Sequence, residues 1–109
     1  MTGVQTCALP ISETHLEQVK SALFESGAGQ IGNYQSCCWE VKGQGQFQPM
    51  EGSDPFIGAS GKVEKVMEYK VEMVCDSEQV KMVVEAFIRA HPYETPAYHL
   101  QSVMTLDDL

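Results

Sequence analysis

Between Lys62 and Ala90 the apolar residues change their period, so an extended segment has to hand over directly to a helix. From Lys62 to Cys75, the residues Val63, Met67, Tyr69, Val71, Met73 and Cys75 fall on one side of an extended chain, with Glu64, Glu68, Lys70 and Glu72 on the other. Alternation of this kind predicts a long antiparallel strand with one covered face and one polar face. From Ser77 to Ala90 the spacing becomes three and four, with Val80, Val83, Val84 and Phe87 on one face of an amphipathic helix. Pro92 stops that helix, because proline has no N–H to donate and pushes His91 out of the helical region.

The rest of the chain extends the pattern. Leu16, Val19, Leu23 and Phe24 recur at helical spacing between Glu13 and Ser26, with Glu17, Lys20 and Glu25 facing away. Ser12 is the expected cap, and Gly27-Ala28-Gly29 the expected stop, since glycine reaches the left-handed conformation that closes a helix. Tyr34 to Lys42 is short and aromatic, which predicts a strand with Cys37, Trp39 and Val41 on one face. Ala97 to Met104 supplies a last strand. In 109 residues there is room for one core. Helix, strand, long connection, strand, helix, strand, with a further strand in front, is the β-α-β-β-α-β order of an α+β, ferredoxin-like sandwich. One face of such a sheet carries no helices and is commonly buried against other subunits, so a homo-oligomer is expected.

Charge and cysteine content narrow the function. A net charge of -8 argues against a phosphate-backbone binder, which needs clustered Lys and Arg, so no nucleic acid partner is expected. No apolar run approaches the roughly twenty residues of a membrane span, and a soluble cytoplasmic protein is the expectation. Cys7, Cys37, Cys38 and Cys75 form no C-x-x-C pair, which predicts reduced thiols. Cys75 belongs to the core pattern, while Cys37 and Cys38, if in a strand, point to opposite faces.

Met1 to Ile11 resembles the translation of a common short-read sequencing adapter, codon by codon. On that likeness residues 1–12 are set apart as foreign, the domain is expected to occupy 13–109, and the native first strand is expected to be lost or replaced. The alternative is an ordinary first strand, since Val4, Thr6, Ala8 and Ile11 suit a sheet.

Two segments carry the candidate chemistry. His91-Pro92-Tyr93-Glu94-Thr95-Pro96-Ala97-Tyr98 packs a titratable pair, two prolines and two aromatic rings into one turn. Gly43 to Gly61, with five glycines and two prolines, is long for a connection between paired strands, and such loops are usually functional. Within it, Gly43-Gln44-Gly45-Gln46-Phe47 invites a phosphate-cradle reading but has no following helix and no Lys-Ser/Thr, which leaves a tight bulged loop as the main expectation. Gly27, Gly29 and Gly32 read as turn-makers. His91 and Glu94, three residues apart, with the Cys38 thiolate, form a candidate divalent-metal set; the competing reading is a histidine that donates to a local carboxylate. Tyr93 and Tyr98 are expected at an interface. Three histidines, His15, His91 and His99, are too few for a two-metal hydrolytic centre, and no nucleophile with an orienting base is signalled.

Gly27 to Tyr34 with Asn33, Cys37-Cys38-Trp39, Gly43 to Pro49, Pro55-Phe56-Ile57-Gly58, Glu64, Glu68 and His91 to Glu94 together resemble the small insert domain of the NIF-three-like proteins of the YqfO type. The likeness runs over nearly everything after residue 12 and implies a stand-alone form of that insert. The family is also labelled GTP cyclohydrolase type 2 homologue, and any metal-dependent hydrolysis is expected to reside in the halves that flank the insert. His91-Pro92-Tyr93-Glu94 with Pro96 also resembles the end of the CutA proteins, linked to divalent-cation tolerance, which share a fold with the trimeric PII proteins. That likeness implies trimers, with the connection placed where PII proteins contact partners. The function expected from both is a non-enzymatic oligomeric module that binds a small ligand or protein partner. Its contacts are expected at His91, Pro92, Tyr93, Glu94, Pro96, Tyr98, Gly43, Gly45, Phe47, Gly27, Gly29, Gly32, Asn33 and Tyr34. The alternatives are a CutA-like protein holding a divalent metal at His91, Glu94 and Cys38, and a metal-dependent hydrolase.

Overall fold

A computed structural model describes residues 4–55 and 58–109. Strand β1 (Val4–Ser12) leads through a 3-10 turn into helix α1 (Leu16–Glu25). Strands β2 (Trp39–Phe47) and β3 (Glu64–Asp76) follow. A second 3-10 turn opens helix α2 (Val80–Ala90), and β4 (His99–Val103) completes the sheet. The strand order is β2-β3-β1-β4, and each neighbouring pair is antiparallel. This is the ferredoxin-like sandwich expected from the pattern, with both helices on one face.

The segment set apart for its adapter likeness lies inside the sheet. Val4–Ser12 pairs with β3 along Val4↔Asp76 to Ser12↔Glu68, and with β4 along Val4↔Val103 to Ala8↔His99. A strand therefore occupies the position where a lost or replaced one was expected.

Ile11 from β1 and Val71, Met73 and Cys75 from β3 are buried under Leu16, Val19 and Leu23 of α1 and Val83, Ala86 and Phe87 of α2. Phe87, Ile11, Val19, Leu23 and Val71 are almost wholly withdrawn from water. Each such side chain stabilises the fold by about 1.5–3 kcal/mol. Helix α1 stops as its glycine predicts: Gly27 has φ +105°, its N–H donates to Phe24 O at 3.1 Å, and Ala28 N–H donates to Leu23 O at 3.2 Å. That pair of bonds is a Schellman closure, with Ala28 buried beside Leu23. Ser12, the expected cap, makes no capping bond and instead precedes the 3-10 turn Glu13–His15.

Strand β2 lies five residues later than its aromatic content suggested. Tyr34 to Cys38 form an irregular segment in which Ile31 and Tyr34 exchange two backbone bonds of 2.9 Å, Ser36 takes φ +59° and Tyr34 is 75% exposed. Cys37 and Cys38 thus precede the strand and do not alternate across it. Gly43 and Gly45, expected in a bulged loop, instead sit in β2 opposite Glu68 and Val66. The true connection is therefore residues 48–63, of which Phe56 and Ile57 lie outside the described residues.

Because β1 ends opposite Glu68, the stretch Glu64–Met67 pairs with β2 alone. This two-strand ribbon extends past the helices and lengthens the molecule to 49 × 22 × 21 Å.

Candidate functional site

Helix α2 delivers His91 to the site. Pro92 holds its backbone extended (φ -81°, ψ 134°), while the His91 N–H still closes the helix on Phe87 O at 2.9 Å. The imidazole is buried edge-on to Phe87, with centroids 5.0 Å apart, and to Tyr93, with centroids 4.6 Å apart. Tyr93 N–H donates to Nδ1 at 3.2 Å, so the proton sits on Nε2, which donates to Pro10 O at 2.9 Å. Burial pushes the His91 pKa down, against the hydrogen bond to Pro10. Its partner is a backbone carbonyl, where a local carboxylate was expected, and neither ring nitrogen keeps a free lone pair.

Glu94 is turned away from His91. Its Oε1 accepts from the backbone N–H of Asp54 and so fastens the 48–63 connection to the turn. Phe47, at the tip of β2, adds a ring contact to Tyr93 with centroids 6.2 Å apart. The two segments that the sequence marked separately are therefore parts of one structure. Between them and the bare face of the sheet lies a cleft of about 440 Å³, walled by Phe47, Met50, Val66, Tyr93 and Ala97 and floored in part by Glu68. A second hollow of about 510 Å³ continues along the sheet past Gly43, Val41, Tyr98 and His99, and Pro10, Glu68 and Ala97 line both.

Glu68 was read as part of a polar strand face and of the family-like residue set, and not as a site residue. Alternation along β3 puts it opposite Tyr69 and Val71, on the side without helices, and that was the available signal. Burial raises its pKa, and burial followed by the Glu68 charge raises that of Tyr93. Gly45 makes room for this carboxylate: a Cβ there would stand 2.6 Å from Glu68 Cδ.

The remaining expected residues lie outside the 440 Å³ cleft. Tyr98 stacks edge-on against Phe87 at 5.8 Å, and Pro92 and Pro96 are half-buried in the turn. Gly27, Gly29, Gly32, Asn33 and Tyr34 build the exit of α1 and line neither hollow. Cys38 packs against the core, with its thiol pKa pushed up by burial and pulled down by nearby Lys20. His91, Glu94 and Cys38 are not gathered, and among the described residues no three His, Cys, Asp or Glu side chains are placed to hold a metal ion.

No family model matches the chain. A GTP cyclohydrolase 1 type 2 homolog of Halalkalibacterium halodurans is 49% identical over 90 residues, 83% of this chain and 24% of that protein. A solved structure of a Bacillus cereus protein related to NIF3 superposes with a TM-score of 0.82 at 33% identity, covering 95% of this chain and 26% of that one. Over nearly its whole length the chain matches one part of the NIF3-related proteins. The chain spans about a quarter of the length of the curated relatives it matches. CutA from Synechococcus elongatus superposes with a TM-score of 0.68 at 15% identity, over 95% of this chain and 80% of that one, which shows a shared fold.

Proposed function

We propose that the chain is a non-enzymatic, homo-oligomeric binding module, which holds a small ligand or a protein partner in the cleft between the 48–63 connection and the His91–Pro96 turn. One observation carries the reading: the Asp54–Glu94 bond and the Phe47–Tyr93 contact fold a Gly- and Pro-rich connection back into a wall, leaving a hollow of about 440 Å³. That volume lies in the range of small-molecule sites, about 300–1,000 Å³. The hydrogen bonds of His91 to Pro10 and Tyr93 support a structural role for it over one as a base or a metal ligand.

Self-association rests on the bare sheet face. Trp39 and Val41 alternate on it opposite Glu72 and Lys70, and they are 62% and 44% exposed. Exposed apolar surface of this kind favours burial against a second copy. A trimer is the assembly we favour.

Size-exclusion chromatography with light scattering tests the assembly, and a trimeric mass is the expected result. A monomer would overturn the oligomeric reading, and turnover of GTP by the chain would overturn the non-enzymatic one.

A further inference from the structure

Glu68 is placed where a carboxylate is poorly served. It is half-buried over the backbone of Gly45, and desolvation raises its pKa. Among the described residues no Lys, Arg or His side chain and no hydrogen-bond donor engages it; Lys70, the nearest lysine in sequence, pairs with Glu72 at 3.5 Å. A carboxylate drawn partly out of water without a partner is destabilising to the free protein. The absent Cβ of Gly45 is what lets it lie there.

The rest of the cleft is equally one-sided. Its described lining holds two carboxylates, Glu68 and Glu94, and no cationic side chain. The rings of Phe47 and Tyr93 stand 6.2 Å apart at 45° to each other, an arrangement that offers π faces to a guest. A phosphate or carboxylate ligand would meet two like charges here. A cation meets a charge partner, aromatic faces and apolar walls at once.

We propose that this cleft binds a small organic cation, an ammonium carried on an apolar body, with the charge against the Glu68 carboxylate and the body along the wall that Phe47 and Tyr93 form. The proposal rests on the cleft being a ligand site and adds the ligand's class.

Phenethylammonium is a suitable probe, with 2-phenylethanol as its neutral counterpart, each titrated into the full 15N-labelled chain at neutral pH. The expected result is shifts of the Gly45, Val66 and Tyr93 amides, with the ammonium bound about tenfold more tightly than the alcohol, as for a partly desolvated charge pair. In Glu68→Gln, and in Gly45→Ala where the new Cβ displaces the carboxylate, that preference should vanish. Equal binding of both probes overturns the cation proposal and leaves the cleft reading standing. A preference that survives in Glu68→Gln also overturns it. Shifts from neither probe remove the small-ligand reading along with it.

Discussion

The Nε2–H of His91 donates to the carbonyl oxygen of Pro10 across 81 residues of chain, at 2.9 Å. The end of α2 is thereby tied to the strand at the centre of the sheet. Truncation removes the donor and two edge-on ring contacts together, so His91→Ala is expected to cost about 2–4 kcal/mol in urea unfolding.

The same residue sets a pH dependence. Burial holds His91 below its ordinary pKa in the folded protein, whereas the unfolded chain takes up the proton near the usual 6.5. Below that value the unfolded state binds more protons, so folding stability falls as the pH drops from 6.5 towards the depressed folded value. Unfolding midpoints of wild type and His91→Gln measured between about pH 7 and pH 5 should converge as the pH falls. Parallel curves would show that His91 does not titrate on unfolding.

Glu68 works in the opposite sense. Its folded pKa lies above the ordinary carboxyl value of 4.5, so its contribution is complete below that value and is lost as the pH rises through the folded pKa. Glu68→Gln is therefore expected to raise the melting temperature at neutral pH and to leave it unchanged near pH 4. A lower melting temperature at neutral pH would mean that the carboxylate has a stabilising partner.

Gly29 is fixed by its neighbours. It has φ +78°, a Cβ there would stand 2.7 Å from Cys37 O and 2.9 Å from Phe24, and its backbone bonds join Val74 and Cys37. Left-handed strain of about 1–2 kcal/mol and the backbone clash add, so Gly29→Ala should lose at least about 2 kcal/mol in chemical denaturation. Gly43→Ala, with open space around its Cβ, should stay within about 0.5 kcal/mol of wild type.

Lys20 bridges α1 to β2 through Glu40 at 2.7 Å, and its ammonium side chain is only 15% exposed. That hydrogen bond raises its pKa, outweighing desolvation. Glu40→Gln should cost about 1 kcal/mol, and the loss should shrink in high salt because the pair is only partly shielded from solvent. A salt-independent difference would point to packing.

What the sequence made legible follows from which forces act locally. The alternation of Val71, Met73 and Cys75 and the helical spacing of Leu16, Val19 and Leu23 report burial directly, and all six lie in the core. Gly27 closes its helix as read, because a C-terminal glycine acts through its own backbone. β2 was misplaced because propensity favours Tyr34 and Trp39 over Gly43 and Gly45, whereas pairing to β3 and the lean of Glu68 decide the register. The turn and the connection were each visible, but the Asp54–Glu94 bond that unites them joins residues 40 apart, and no local pattern encodes it. The bond from His91 to Pro10 was hidden for the same reason.

The ribbon beyond Glu68 gives the molecule a gradient of cooperativity. Amides of Val71 and Glu72, paired on both sides, should open only with the whole core, whereas those of Glu64 to Met67 depend on a single neighbouring strand and should exchange with solvent sooner. The cleft lies where these two regimes meet, with Val66 on the loose side and Tyr93 on the firm one. A guest lodged there would act as a splint, felt as slower exchange far out along the ribbon.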